Sequence, residues 1–237
     1  MKYMGSKNRV AKYILPIMLK ERKEGQYWVE PFVGGGNMID KVTGNRIGGD
    51  YNHYVIKALN AIRDHSTELP KNNKEFTEEM YHQLQRGEID YPFKGYVGFV
   101  ASFGAKWFGG WARDKANSRD FIAEAYRNAQ KQSPLLQEVK LYNCSYDELP
   151  IPDNSLIYCD PPYENTTKYN DNFSHKDFWE WCRKMSKKGH TVFVSEYNAP
   201  DDFICLWEKE LVSGFKTNNV GKRGVEKLFR YKYEGRQ

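Results

Sequence analysis

The sequence of 237 residues lacks the marks of membrane, secreted and disulfide-rich proteins. No uninterrupted apolar run approaches the roughly 20 residues that a membrane helix needs. The opening segment MKYMGSK holds no apolar run of the kind that a secretory signal contains. The four cysteines include no Cys-x-x-Cys pair, so neither a zinc site nor a disulfide framework is indicated. These absences predict a globular protein of the cytoplasm that does not associate with membranes.

Histidine is also scarce, and its five residues are scattered along the chain. They are His53, His65, His82, His175 and His190. Their spacing matches no metal-binding motif, so we expect no bound metal. No internal repeat or low-complexity tract occurs, and the length suits one domain, or one core that carries an inserted subdomain.

Charge and aromatic content give more information than these absences. The net charge is +5, and the basic excess lies in residues 1–60, which is compatible with a polyanionic partner without requiring one. Aromatic residues make up 15% of the chain and concentrate in residues 91–111. The charges within that segment are Lys94 and Lys106, both positive.

Hydrophobic patterning predicts alternating strands and helices in the first quarter and in the last part of the chain. Strands are predicted at 27–30, 46–50, 139–142, 156–159, 191–195, 203–209 and 227–233. Helices are predicted at 9–23, 37–42, 52–63 and 176–187. Pro16 should shorten or kink the first helix, and Asn37 should cap the second. The β–loop–α–β–α order at the start predicts a doubly wound α/β sheet.

The strand pattern disappears between residues 64 and 138. Residues 74–87 and 118–132 instead have helical composition, and the aromatic segment lies between them. We therefore predict a core formed by residues 1–63 and 139–237, with residues 64–138 inserted as a mainly helical subdomain.

A glycine-rich loop follows the first predicted strand. The segment EPFVGGGN runs from Glu30 to Asn37, and its glycines let the backbone approach a ligand with no Cβ in the way. Asp50 ends the next strand, where a carboxylate can accept both hydroxyls of an adenosine ribose. The loop and Asp50 predict an adenosine-containing cofactor. Ile39 stands where the dinucleotide fingerprint needs glycine or alanine, which weakens the choice of a dinucleotide.

The tetrapeptide Asp160-Pro161-Pro162-Tyr163 follows the predicted strand at 156–159. Two consecutive prolines stop the strand and stiffen the turn, so Asp160 lies at the ligand-binding edge of the sheet. The Asp160 carboxylate and a main-chain carbonyl of the proline pair could hold both hydrogens of an exocyclic base amine, and Tyr163 could stack on that base. Such a base is inaccessible inside a duplex and would have to be flipped out.

Four segments resemble the Dam-type, α-group family of DNA adenine-N6 methyltransferases. They are KYMGSK at 2–7, EPFVGGG at 30–36, DPPY at 160–163 and VGKRGVEKLFRY at 220–231. Their order along the chain is also that of the family. The resemblance implies a Rossmann-like methyltransferase that transfers a methyl group from S-adenosylmethionine to N6 of a flipped-out adenine in double-stranded DNA. A cognate restriction endonuclease would be a functional partner of such an enzyme.

The resemblance also implies roles for individual residues. The residues that would contact S-adenosylmethionine or line its pocket are Tyr3, Lys7, Pro31, Phe32, Gly34, Gly36, Asp50 and Asp160. The catalytic residues would be Asp160, Pro161, Pro162 and Tyr163. Residues 1–63 and 139–237 would form the catalytic domain, and residues 64–138 would recognise the target. From the residues alone, Lys7 could also belong to a solvated basic face with Lys2, Arg9 and Lys12.

The inserted segment does not match the part of the family that reads a known DNA sequence, so the target sequence stays open. Tyr96, Phe99, Phe103, Trp107 and Trp111 have the spacing of a helical core stripe. One or two of them could instead fill the hole that a flipped base leaves. The candidates for contact with phosphates or guanine are Arg113, Lys115, Arg119 and Arg127.

Three alternatives to this function remain open from the sequence. The methyl acceptor could be adenine in RNA, the amine of cytosine, or a protein amide. The protein could be a DNA-binding module whose cofactor site is vestigial. A nicotinamide-dependent dehydrogenase is the third alternative, and Ile39 disfavours it.

Overall fold

The computed structural model describes residues 1–116, 118–164, 173–212 and 223–232. Within these residues, seven strands form one mixed sheet. The strands are β1 (Trp28–Glu30), β2 (Arg46–Asp50), β3 (Lys140–Asn143), β4 (Leu156–Cys159), β5 (Thr191–Glu196), β6 (Phe203–Val212) and β7 (Arg223–Tyr231). The α-helices in the same ranges are α1 (Ala11–Glu21), α2 (His53–Asp64), α3 (Glu78–Arg86), α4 (Lys94–Val100), α5 (Phe121–Leu136) and α6 (His175–Lys187).

The strand order is β3-β2-β1-β4-β5-β7-β6. Strands β1 to β5 pair in parallel, whereas β7 runs antiparallel to both β5 and β6. The order reverses between β1 and β4, where Trp28 is level with Leu156. In open α/β sheets, ligands bind outside the carboxyl ends of the strands at such a reversal. The predicted doubly wound α/β sheet is therefore confirmed, and its topology points to the ends of β1 and β4.

The central strands are buried on both faces of the sheet. Trp28, Tyr158 and Phe193 belong to one hydrophobic cluster, whereas Val29 and Ile157 belong to the other. Strands covered on both faces have nearly continuous apolar sequences. This burial explains why β4 and β5 stand out so clearly as apolar runs in the sequence.

The segment after the glycine loop does not form the predicted helix over residues 37–42. It forms a single 3-10 turn, Ile39–Lys41, and Asn37 does not cap it. The side-chain amide of Asn37 instead donates to the carbonyl oxygen of Met1 at 2.9 Å. Gly36 has a φ of +67°, which keeps the chain out of a helical conformation before the turn. The prediction of a helix and of its cap was therefore wrong.

Helix α1 is shorter than predicted at both ends, and Pro16 lies in its interior rather than at its end. The residues between α2 and β3 contain helices, and α4 and α5 both pack on α2. Residues 220–222 of the carboxyl-terminal segment and Tyr233 lie outside the described residues.

The aromatic segment follows the predicted helical stripe only at its start. Tyr96 and Phe99 are buried on α4, which ends at Val100. Beyond it, Gly104 and Gly110 have positive φ values and turn the chain, so the later aromatics do not continue the helix. The predicted stripe is therefore wrong for Phe103, Trp107 and Trp111.

These later aromatic side chains have separate environments. The ring of Trp107 stacks on Tyr54 with the ring centroids 3.9 Å apart, and it lies so close to Gly98 that no side chain would fit there. Trp111 packs against Tyr81. Phe103 is 56% exposed.

Arg46 fastens β2 to the end of α5. Its guanidinium is buried and donates to the carbonyl oxygens of Ile39 at 3.1 Å, Leu135 at 2.6 Å and Gln137 at 2.8 Å. The last carbonyls of a helix lack partners within the helix and carry partial negative charge. The cation therefore satisfies the end of α5 and ties the inserted region to the sheet.

Replacing Arg46 with Met should lower the free energy of unfolding by about 2–4 kcal/mol, because buried carbonyl groups lose their donor. Chemical denaturation followed by circular dichroism measures the change. Arg127 lies exposed on α5 and supplies the control. The free energy of unfolding of Arg127→Met should stay within about 0.5 kcal/mol of that of the wild type. Equal stability of Arg46→Met and the wild type would contradict the role given to Arg46.

Candidate active site

A cleft of about 2480 Å³ opens at the carboxyl ends of β1 and β4. Its lining includes residues 1–10, 30–35, 50–54 and 160–164. Because β1 and β4 are neighbours, the glycine loop and the proline corner, which are far apart in sequence, border the same space. The cleft is therefore the place where a cofactor and a substrate could meet.

The glycine loop is packed too closely for side chains. Gly34 has a φ of +47°, and a Cβ there would lie 3.0 Å from the ring of Tyr3. A Cβ on Gly35 would lie 2.9 Å from the carbonyl oxygen of Met1. The loop thus needs glycine both for its backbone conformation and for the close approach of the amino-terminal segment.

Asp50 lies at the end of β2 against this loop. One carboxylate oxygen accepts from the backbone N–H of Gly34 at 3.0 Å, and the other accepts from the N–H of Asn52 at 2.9 Å. Burial raises the pKa of Asp50 to about 6, although these two hydrogen bonds favour the ionised form. A carboxylate has about four acceptor positions, so this arrangement suits a further pair of hydroxyl donors.

Helix α5 holds the glycine loop from the side through Gln132. The buried Gln132 amide donates to the carbonyl oxygens of Gly35 at 3.1 Å and Gly36 at 3.3 Å, and to Asp40 at 3.0 Å. The α-amino group of Met1 donates to the carbonyl oxygen of Gly35 at 2.7 Å and to the Gln132 side chain. Burial lowers the pKa of the Met1 amine to about 5.

Lys7 joins the proline corner to the amino-terminal segment. Its Nζ lies 2.9 Å from Asp160 Oδ1, 3.4 Å from Glu226 Oε1 and 4.5 Å from the ring centroid of Tyr163. The Tyr163 hydroxyl donates to the Glu226 carboxylate. The Lys7 side chain is only 10% exposed, so it does not belong to a solvated basic face.

Burial and charge together set the ionisation of this corner. Burial would lower the pKa of Lys7, but the carboxylates of Asp160 and Glu226 raise it above its usual value. Burial raises the pKa of Asp160 to about 6, and Lys7 opposes that rise. At neutral pH the corner therefore holds an ammonium ion beside the ionised Asp160.

An aromatic pocket lies beside the glycine loop. The ring of Phe32 has its centroid 5.5 Å from that of Tyr146, 5.8 Å from that of Phe173 and 5.6 Å from that of Phe178. Tyr146, Phe173 and Pro31 line the cleft with Phe32. This pocket offers flat apolar surfaces for a planar ring.

Two of the four basic residues predicted to contact DNA line the cleft. Arg113 pairs with Glu78, and Arg119 donates to Glu124 through Nε and Nη2, both at 2.8 Å. The other two, Lys115 and Arg127, are exposed outside the cleft lining.

The sequence analysis missed several residues of the cleft. They are Glu196, Glu226, Gln132, Tyr146 and Phe173. Glu226 lies within the segment at 220–231 that resembles the family, but no local pattern gave it a role. The others carry no signal in the sequence, because only the folded chain brings them to the cleft.

Residues 3–91 match the model of the family described as D12 class N6 adenine-specific DNA methyltransferase. Over these residues the chain is similar to this adenine-N6 methyltransferase family. The matched residues contain Tyr3, Lys7, the glycine loop and Asp50, whereas the proline corner lies beyond them. Methyltransferases of this family use S-adenosylmethionine, so the predicted family and cofactor are confirmed. The Dam-type assignment within the family stays a resemblance.

Solved structures similar to this methyltransferase share little sequence with it. The tRNA (m1A58) methyltransferase TrmI from Aquifex aeolicus is 9% identical, with 98% of this chain and 72% of that chain covered and a TM-score of 0.43. A conserved hypothetical protein from Streptococcus pyogenes is 10% identical, with 92% and 93% covered and a TM-score of 0.38. A comparison with curated proteins found no match.

The described residues contain neither a metal-binding cluster nor a membrane-spanning helix. Within them, no group of three or more His, Cys, Asp or Glu side chains could hold a metal ion. The helices of the same ranges include none with the length and apolar character needed to cross a bilayer.

Replacing Gly34 with Ala should weaken S-adenosylmethionine binding at least about 10-fold, equal to about 1.4 kcal/mol. The new Cβ would meet the Tyr3 ring and would strain a backbone with positive φ. Isothermal titration calorimetry measures the dissociation constant.

Gly87, which follows α3, provides a matched control for this substitution. It has a φ of +76° with open space around it, so Gly87→Ala introduces similar backbone strain away from the cleft. Its affinity for S-adenosylmethionine should equal that of the wild type. An unchanged affinity in Gly34→Ala would show that the loop does not shape the cofactor site.

Proposed function

We propose that the protein transfers the methyl group of S-adenosylmethionine to the exocyclic N6 amine of an adenine that is flipped out of duplex DNA. One observation carries the proposal: the glycine loop with Asp50 and the corner from Asp160 to Tyr163 border a single cleft. The amino-terminal segment packs on the glycine loop through Met1 and Tyr3 and pairs with Asp160 through Lys7. The match of residues 3–91 to a family of adenine-N6 methyltransferases supports the same reaction.

The cofactor is held by the residues around the glycine loop. They are Tyr3, Lys7, Pro31, Phe32, Gly34, Gly36, Asp50 and Asp160. Asp50 accepts the ribose hydroxyls, because its carboxylate already has backbone donors on one side and borders the cleft on the other. The aromatic pocket around Phe32 takes the adenine ring of the cofactor. When bound, S-adenosylmethionine supplies a methyl group that is activated by its sulfonium sulfur.

Asp160 is the hydrogen-bond acceptor for the target amine. That nitrogen is a poor nucleophile, because its lone pair is delocalised into the purine ring. A carboxylate and a main-chain carbonyl of the Pro161-Pro162 pair that hold both amine hydrogens favour a tetrahedral nitrogen and free its lone pair. The two prolines fix the acceptors in advance, so the gain comes from orientation and charge stabilisation.

Tyr163 supplies the surface on which the target adenine stacks. Its ring already has the Lys7 ammonium near one face and the edge of Tyr197 beside it, with the ring centroids of the two tyrosines 4.7 Å apart. The amine cannot be reached within paired DNA, so the adenine must leave the duplex before it meets this ring.

We assign the catalytic domain to residues 1–63 and 139–237 and target recognition to residues 64–138. Arg113 and Arg119 line the cleft and are the residues of the insert that contact the DNA nearest the flipped base. Lys115 and Arg127, which are exposed beyond the cleft, contact flanking phosphates.

Replacing Asp160 with Ala should reduce methyl transfer at least about 100-fold, because the amine loses its main acceptor. Transfer of tritiated methyl groups into unmethylated DNA measures the rate, and circular dichroism reports the fold. Asp153 precedes β4 as Asp160 follows it, and it is exposed, so Asp153→Ala is the matched control with normal turnover. Near-normal turnover in Asp160→Ala would remove Asp160 from the mechanism.

The value of kcat should fall as the pH drops through about 6. Asp160 accepts hydrogen bonds only as a carboxylate, and its pKa is about 6, so the active form is lost on the acid side. Asp50 also has a pKa of about 6, so the profile is measured at saturating S-adenosylmethionine to separate turnover from cofactor binding. A kcat that stays constant down to pH 5 would contradict this assignment.

Replacing Arg113 or Arg119 with Ala should weaken DNA binding. The slope of the logarithm of the binding constant against the logarithm of the salt concentration should fall by about one for each phosphate that the variant no longer neutralises. Fluorescence anisotropy at several salt concentrations measures both quantities. Lys20 is exposed on α1, away from the cleft lining, so Lys20→Ala should leave them unchanged. An unchanged salt slope in both arginine variants would place the DNA elsewhere.

Digestion of the methylated product to nucleosides, followed by mass spectrometry, tests the proposed acceptor directly. N6-methyldeoxyadenosine from DNA is the expected product. A methylated cytosine, or label found only in RNA or protein, would replace DNA adenine as the acceptor. Failure to bind S-adenosylmethionine saturably would instead favour a DNA-binding module with a vestigial cofactor site.

A further inference from the structure

We infer that Glu226 is a positioning residue of the same reaction, which keeps the Asp160 carboxylate available for the target amine by taking the hydroxyl hydrogen of Tyr163. This inference rests on the proposed function and adds a residue to it. Glu226 lies on β7, and its side chain is 8% exposed.

The sheet topology brings Glu226 to the catalytic corner. Strand β7 pairs antiparallel with β5, so that Glu196 is level with Lys227, and β5 pairs with β4. Glu226 is therefore two strands away from the end of β4, although it is 63 residues from Tyr163 in the sequence. Its burial at this position means that its charge faces the corner rather than bulk water.

Two hydrogen-bond donors at the corner are shared between two carboxylates. Lys7 Nζ lies within salt-bridge distance of both Asp160 and Glu226. The Tyr163 hydroxyl donates to Glu226, and it lies near enough to Asp160 to influence the pKa of that carboxyl group. Because a hydroxyl has one hydrogen, donation to Glu226 means that Asp160 does not receive it.

Without Glu226, the Tyr163 hydroxyl would turn to Asp160, which Lys7 already contacts. This partly buried hydroxyl needs an acceptor, since an unpaired buried polar group is costly, and Asp160 is a carboxylate close to it. Its hydrogen would then occupy part of the acceptor capacity that the amine requires. Glu226 thus acts on the reaction through Tyr163 and Lys7 and does not need to touch the adenine.

The other nearby acid, Glu196, is hydrogen-bonded to the backbone. Glu196 uses one carboxylate oxygen to accept from the N–H of Tyr197 at 2.7 Å and the other to accept from the N–H of Glu164 at 3.1 Å. Its contacts fix the backbone on either side of the cleft rather than the Tyr163 hydroxyl. Glu226, by contrast, accepts the hydrogen of the Tyr163 hydroxyl.

The test compares Glu226→Met, Tyr163→Phe and the double variant. Methionine keeps the length of the side chain and removes the acceptor. We expect Glu226→Met to lower kcat about 10- to 100-fold, with the KM for S-adenosylmethionine within about 3-fold of the wild type. Tyr163→Phe in this background should raise kcat several-fold, because the competing hydroxyl is gone. A role limited to stabilising the fold would not produce this rescue.

Two further variants complete the experiment. Glu226→Gln keeps an acceptor oxygen, so its kcat should lie between that of the wild type and that of Glu226→Met. If the methionine variant does not fold, Glu226→Gln takes its place in the comparison with Tyr163→Phe. Glu208 is exposed on the neighbouring strand β6, so Glu208→Met controls for loss of a glutamate and should turn over normally.

The outcomes separate this inference from the function on which it rests. Normal kcat in Glu226→Met, or equal losses from Tyr163→Phe with and without Glu226, would overturn the role of Glu226 and leave the proposed function intact. A wild-type protein that binds S-adenosylmethionine but methylates no DNA would overturn both.

Discussion

The buried ammonium of Lys7 is the interaction on which the arrangement of the cleft depends. It comes from the amino-terminal segment, and it pairs with Asp160 at the end of β4, directly beside the end of β1. One cation thereby joins the amino-terminal segment to Asp160 after β4 and to Glu226 on β7. Removing one partner of a buried ion pair typically costs about 3–5 kcal/mol, because the other charge is left uncompensated. The position of the amino-terminal segment and the geometry of the corner are therefore coupled.

The cleft contains several acidic side chains, although the chain as a whole is basic. The chain has a net charge of +5, yet the cleft contains Asp50, Asp160, Glu196 and Glu226. Burial raises the pKa of Asp50 and Asp160 to about 6 and that of Glu196 to about 7. An acidic interior suits a cofactor with a sulfonium cation, whereas a basic exterior suits a polyanion. Both kinds of charge line the cleft, since Arg113 and Arg119 lie in it with these carboxylates.

The sequence predicted those features that have a local or periodic cause. Strands β4 and β5 are buried on both faces and therefore form continuous apolar runs, and Asp160 could be assigned because it directly follows β4. Asp50 could be assigned because it ends the strand that follows the glycine loop. The helix predicted after the glycine loop failed because Asn37 is engaged by Met1, a contact that no local pattern reveals. Glu226 reaches Tyr163 only through antiparallel pairing of distant strands, so its contact could not be derived from spacing.

The hydrogen bonds of Gln132 have a consequence for how strongly each ligand affects the affinity for the other. Gln132 belongs to α5, in the region that follows the aromatic segment, yet its amide holds the carbonyl groups of Gly35 and Gly36 in the cofactor loop. Thermodynamic linkage requires that if one ligand alters the affinity for a second, the second alters the affinity for the first by the same factor. A nucleic acid that shifts α5 would therefore change the affinity for the methyl donor. The bound donor would in turn change the affinity for the nucleic acid by the same factor.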